Sequence, residues 1–144
     1  MCIILDANVA TRFVIKKNPD FTPVFKWLQK DGRIVYGKTL LGELSKIDNL
    51  RRLLLVFHSA GKARLIDETL GKSRIEGAGL KSEMCSNDEH IIWTALTSNA
   101  RIVITNDKNL IKDFTNTKLL SPKGKVYKNK THKHLLCHHK KCKD

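Results

Sequence analysis

The sequence predicts an α/β protein, a three-layer α/β/α sandwich built on a central parallel sheet. Three observations predict it. Two short apolar runs, Ile3-Ile4-Leu5 and Ile102-Val103-Ile104, are too short for helices and rich in β-branched residues, as central strands buried on both faces should be. Segments of helical period separate these and weaker strand-like runs, so strands and helices alternate along the chain. Acidic residues, 14 against 27 basic ones, fall at strand ends and helix mouths, where ligands bind in folds of this class.

In chain order, residues 2–5 form the first expected strand, and Asp6 is suited to cap a helix over 7–15. Lys16-Lys17-Asn18-Pro19 breaks that helix. A second helix spans 20–30, with Phe21, Val24, Phe25 and Leu28 on one face and Asp31-Gly32 at its end. Residues 33–36 read as a second strand. Thr39 is placed to cap a third helix that has Leu40, Leu41, Leu44 and Ile47 inside and Glu43 within it. Residues 48–60 are a helix that is apolar on more than one side, which implies deep burial or a subunit contact. A short strand follows at 63–66. Residues 67–83, with Gly71, Gly77 and Gly79, read as loop with one short helix.

The stretch 86–114 then gives helix, strand and helix in immediate succession. Ser86 and Glu89 have capping-box spacing, and Ile91, Ile92, Ala95 and Leu96 share a face that Asn99 ends. Thr105-Asn106-Asp107 is a polar turn able to cap a helix with Leu110, Ile111 and Phe114 inside and Asp113 on the surface. Residues 118–120 read as a last edge strand. Ser121-Pro122-Lys123-Gly124 closes a domain of residues 1–121 and leaves a basic, Cys/His-rich tail over 122–144.

At 144 residues, 41% hydrophobic and 28% charged, the chain has the size and composition of one globular domain with a sizeable core. No apolar run approaches the roughly 20 residues of a membrane span. The opening MCIIL meets Asp6 too soon for an export signal, so the expected location is cytoplasmic and no membrane partner is expected. Accordingly Cys2, Cys85, Cys137 and Cys142 are expected as free thiols or metal ligands rather than disulfides. The net charge is +13, with nine lysines against one aspartate over residues 118–144. A body and a tail that are both basic point to a polyanionic partner, nucleic acid first; a solvated lysine tail is the plainer reading.

Asp6, Glu43, Asp88 and Asp107 each have an ordinary structural reading. Asp6 and Asp107 fit as N-caps, Asp88 as a charge at the positive end of a helix, and Glu43 as a partner of Lys46. As a set they read differently. Carboxylates gathered at one sheet edge repel one another, and a bound cation is what makes that tolerable.

The segments LDANV around Asp6, GEL around Glu43, SNDEHIIWTAL around Asp88 and VITNDKNL around Asp107 resemble, in order and spacing, the acidic motifs of the PIN-domain family. The resemblance covers residues 1–120. It implies a PIN-like fold and metal-dependent ribonuclease activity, as in toxins of the VapBC type. It makes Asp6, Glu43, Asp88 and Asp107 the catalytic, metal-holding acids, Thr105 a supporting hydroxyl, and Asn8 a side chain that orients water or a carboxylate. RNA is the implied substrate; an antitoxin protein and a second copy of the chain (a homodimer) are the implied partners.

Phosphodiester hydrolysis needs an activated water and relief of charge on the phosphate and leaving oxygen, which carboxylate-held divalent cations supply. An all-oxygen set favours Mg2+ or Mn2+, since zinc prefers His or Cys. Arg12, Lys38, Lys46 and Lys108 lie near the acidic motifs and form the expected rim for the RNA backbone. His90 reads as a helix-flank residue, and Trp27 and Trp93 as core rather than stacking platforms. In the tail, the density of Cys and His reads either as a zinc knuckle of Cys137, Cys142, His134 and His138 or as a disordered basic tail with incidental ligands. Two other functions stay open on sequence: a non-catalytic RNA-binding or scaffold protein of the same fold, and a DNA nuclease of the flap-endonuclease type, for which the chain is short.

Overall fold

The computed structural model describes residues 1–15, 18–137 and 142. Among them, strands β1 (Cys2–Leu5), β2 (Arg33–Tyr36), β3 (Ala63–Leu65), β4 (Ile102–Ile104) and β5 (Lys125–Val126) form one sheet in the order β3-β2-β1-β4-β5, every pair parallel. The two apolar runs that predict the fold are the two central neighbours. Ile3, Ile4 and Leu5 pair with Ile102, Val103 and Ile104, and all six are buried.

Helices α1 (Ala7–Phe13) and α2 (Thr22–Lys30) connect β1 to β2, and α3 (Lys38–Leu44) and α4 (Asp48–Ser59) connect β2 to β3. The chain then reverses direction across the sheet through α5 (Thr69–Gly77), a 3-10 turn at Lys81–Glu83 and α6 (Glu89–Ser98), and α7 (Lys108–Phe114) precedes β5. Right-handed crossovers place helices of the two directions on opposite faces, which gives the α/β/α layering the sequence predicts. The reversal falls between β1 and β4, so the crevice beyond their carboxyl ends is the topological switch point. No described helix is long and apolar enough to cross a membrane.

Several local expectations shift in detail. The second helix starts at Thr22 rather than at residue 20, because Pro23 fits the first turn, where its missing N–H removes no hydrogen bond. Gly37 rather than Thr39 is the N-cap of α3, and Thr39 N–H donates to Glu68 Oε1 at 3.3 Å. The uncertain stretch 67–83 does hold a helix, α5, packed so tightly on α6 that a Cβ on Gly71 would strike the Trp93 backbone. Leu50 and Leu54 of α4 are buried while Leu55 and Val56 are exposed, so that helix has one core face and one bare apolar face. Asn99 ends α6 in the left-handed conformation at φ 65°, as its side chain allows.

The C-terminal part departs most from expectation. Residues 118–120 are not a strand: Leu119 and Leu120 are buried from a turn in which both N–H groups donate to Asn116 O. The edge strand is β5, in the segment expected to be tail. Tyr127 N–H extends its ladder to Val103 O at 2.9 Å, and the Tyr127 ring is wholly buried. The 3-10 segment Lys130–Cys137 then lays Leu135 and Leu136 into the main core. Among the described residues past 121, Val126, Tyr127, Leu135 and Leu136 thus pack against the same core.

Candidate metal centre

Each acid is held by the local structure its sequence position dictates. Asp6 follows β1 directly, and its N–H donates to Ile104 O at 3.0 Å, which ties it to the end of β4. It occupies the N-cap position of α1, yet its carboxylate makes no well-formed capping bond, only a weak contact with the Asn8 N–H. Asp6 Oδ2 instead accepts from Thr105 Oγ1 at 2.6 Å. The same hydroxyl lies 3.4 Å from Asn8 Oδ1 and accepts from Asp107 N–H at 3.0 Å. Thr105 thus stands between the first and last acids, while the exposed Asn8 lies at its side. Asp107 caps α7 as expected, accepting from Asn109 N–H at 2.9 Å and Leu110 N–H at 3.3 Å.

Asp88, not Ser86, is the N-cap of α6, and its carboxylate makes no capping bond. Ser86 Oγ accepts from Asp88 N–H at 3.2 Å, one step short of the capping box its spacing suggests. Asp113 corrects the reading of a surface residue. It is 1% exposed, and its two oxygens accept from Cys85 N–H at 2.8 Å and Ser86 N–H at 2.9 Å. A buried carboxylate on α7 therefore anchors the loop that delivers Asp88.

The four acids converge. Burial pushes the Asp6 carboxyl above the usual aspartate range; hydrogen bonds from Thr105 and the Asn8 backbone oppose this, and the charges of Asp107 and Glu43 add to it. Asp88 is raised as well, first by burial, then by the charge of Asp6. His90 opposes that rise, and the neighbouring Asp107 carboxyl adds to it. Glu43 reaches the same place from α3, which touches α6.

His90 is the residue sequence reasoning passed over. Its side chain is 7% exposed, and Nε2 lies 3.5 Å from Glu43 Oε2. That nitrogen is buried and makes no hydrogen bond. One ligand atom each from Glu43, Asp88 and His90 fall within 4.8 Å of one another, a spacing that suits a shared cation. The available signal was periodic: His90, Thr94 and Ser98 recur at every fourth residue, and all three are buried.

Of the expected rim, Lys38 opens α3, Lys46 follows it and Lys108 opens α7, all exposed and near the acids in sequence. Arg12 sits in the last turn of α1, about 9 Å along the helix from Asp6, where it pairs with Asp20 at 3.8 Å and overlies the Phe21 ring. It faces its own helix connection rather than the acids.

The expected tail site is not assembled among the described residues. Cys142 is disulfide-bonded to Cys2, with 5.5 Å between Cα atoms; the preceding Lys130–Cys137 segment already lies by the head of β1, where Leu135 lines a cavity with Met1 and Cys2. This corrects the expectation of free thiols for that pair; Cys85 and Cys137 are free and exposed, as expected. His134 Nδ1 lies 3.3 Å from Thr131 O, and His138 is outside the described residues.

No family model matches the chain, and no curated protein matches it. A solved structure of VapBC2 from Rickettsia felis bound to a DNA fragment from their promoter is similar at 22% identity, over 74% of this chain and 89% of that one, with a TM-score of 0.48.

Proposed function

We propose that the protein is a divalent-metal-dependent endoribonuclease. The observation that carries the reading is the convergence of Asp6, Glu43, Asp88 and Asp107 on the switch point of the sheet in a chain of net charge +13. The carboxylates repel, two of them are pushed toward their protonated forms, and a buried imidazole nitrogen beside them lacks a hydrogen bond. Such a set fits a cation and is poorly explained as a structural network.

A bound Mg2+ or Mn2+ would neutralise these acids, polarise the scissile phosphate and make water a better nucleophile. The chain's own groups do the positioning. Thr105 fixes the Asp6 carboxylate, the α7 N–H groups fix Asp107, and Asp113 fixes the approach to Asp88. Lys38, Lys46 and Lys108 hold the phosphate backbone at the rim. Water attacks phosphorus in line, the bond to the 3′ oxygen breaks and that oxygen takes a proton. The products are a 5′-phosphate and a 3′-hydroxyl.

A protein partner, as for the toxin of a toxin–antitoxin pair, has a surface available: the exposed Leu55 of α4 and Leu65 of edge strand β3 line one groove. Leu41 and Leu54 continue that groove, of about 440 Å3. A homodimer would compete for the same surface.

The test is cleavage of a labelled single-stranded RNA with added Mn2+ or Mg2+, against an EDTA control. Asp6→Asn and Asp107→Asn should each lower the rate by about 100-fold or more. RNA that binds but is never cut, with either metal, would support the scaffold reading instead.

A further inference from the structure

We infer that His90 is a ligand of the cation held by Glu43 and Asp88, which makes this a mixed nitrogen–oxygen site selective for Mn2+ and heavier transition-metal ions over Mg2+. The inference rests on the reading of the acidic cluster as a metal centre. It goes further by naming a ligand outside the four acids and the metal class that follows from it.

A buried imidazole ordinarily gives both ring nitrogens a partner, because an orphaned polar atom costs about 1–3 kcal/mol. His90 Nε2 is buried without a hydrogen bond, although an acceptor, Glu43 Oε2, is only 3.5 Å away. The separation is too long and poorly directed for N–H donation, yet it is the spacing of two donors on one cation. Ligand bonds of about 2.1 Å, meeting at angles between octahedral and tetrahedral, place donor atoms about 3–3.5 Å apart. Asp88 completes the set within 4.8 Å.

Two helices impose this geometry. His90 and Asp88 both lie in the opening of α6, where Asp113 pins the preceding loop, and Glu43 comes from the contacting α3. With the ring nearly enclosed, rotation out to solvent would open the core beside Ile91 and Ile92. A neutral imidazole suits manganese, cobalt, nickel or zinc far better than magnesium, which demands oxygen.

The test is pulsed electron paramagnetic resonance of Mn2+ bound to the full chain, which detects a coordinated nitrogen through its 14N hyperfine modulation. The wild type should show that modulation. His90→Gln should lose it and bind Mn2+ about 10- to 100-fold more weakly by calorimetry, with Mg2+ binding little changed and circular dichroism confirming the fold. Asp88→Asn serves as the control for the site itself. If Mn2+ binds, weakens in Asp88→Asn and shows no 14N modulation, His90 is not a ligand and the acidic metal centre stands. If Mn2+ does not bind the wild type, both readings fall. The wild-type spectrum decides the matter even if a variant misfolds.

Discussion

At the carboxyl edge of the sheet, Asp6 is raised by burial and by the charges of Asp107 and Glu43, Asp88 by burial and by the charge of Asp6, and His90 Nε2 has no hydrogen bond. At the amino edge, Met1, Cys2, Arg101, Lys123, Lys125 and Leu135 surround a cavity of about 260 Å3, and the charge there is positive. Arg101 is the instructive contrast. Its guanidinium donates to the carbonyls of Ala95, Ala100 and Pro122 at 2.8 to 2.9 Å, so a charge lowered in pKa by burial is nonetheless fully engaged. One edge of the sheet satisfies its polar groups with the chain's own backbone; the other gathers carboxylates whose hydrogen bonds offset their burial and repulsion only in part. Stability is built at the first and capacity for a ligand is left at the second.

The sharpest way to break this contrast is to remove the closure of the amino edge. Ending the chain at Ser121 deletes β5, Tyr127, Leu135, Leu136 and the Cys2–Cys142 link. The Tyr127 hydroxyl, its pKa pushed up to about 12 chiefly by burial, also loses its bond to Asp20 O at 2.6 Å. Losing three core side chains at about 3 kcal/mol each is comparable to the whole stability of a domain, about 5–15 kcal/mol. The truncated chain should lack a cooperative thermal transition. A sharp melt near that of the full chain would mean the C-terminal segment is dispensable to the fold.

A smaller effect is expected where the fold supports the acidic edge. Asp113→Ala leaves the Cys85 and Ser86 N–H groups without their acceptor. The cost should be about 3 kcal/mol, or roughly 10 °C in Tm, measured by urea and thermal unfolding. Asp113→Asn keeps an acceptor and should lose about half as much. Wild-type stability in both variants would show that the loop is held by something else.

The carboxyl edge was legible in sequence because its logic is local. An aspartate at or just past the end of a buried strand lies at the sheet edge, as do Asp6, directly after β1, and Asp107, three residues past the end of β4. Asp113 was not legible in the same way. It lies three residues beyond Leu110 and one before Phe114, on the inner face, but only the tertiary arrangement shows two backbone N–H groups waiting there. His90 was hidden by its company, since a polar residue beside Ile91 and Ile92 looks like a flank unless the helix is buried nearly all round, as α6 is. β5 was hidden because Val126 and Tyr127 stand alone between Lys125 and Lys128 and make no apolar run, whereas Leu119 and Leu120 look like a strand and are a turn filling the core.

The finest test of the contrast is the pH dependence of the Asp6 side chain. A carboxyl raised in the fold holds its proton to higher pH there than in the unfolded chain. Below about pH 4 it is protonated in both states and contributes no difference. As pH rises through the unfolded and then the folded pKa, the folded state alone gives up its proton against burial and the charges of Asp107 and Glu43, so stability falls. Asp6→Asn removes that titration while its amide oxygen still accepts from Thr105. The variant should therefore melt above the wild type at pH 7 without metal, with the gap closing toward pH 4. Mn2+ should reverse the order at pH 7, because the cation stabilises the ionised set and has a poorer site in the variant. A wild type that already melts higher at pH 7 without metal would mean that Thr105 and the Asn8 N–H outweigh burial, and that the first acid belongs to a satisfied structural network like the one around Arg101.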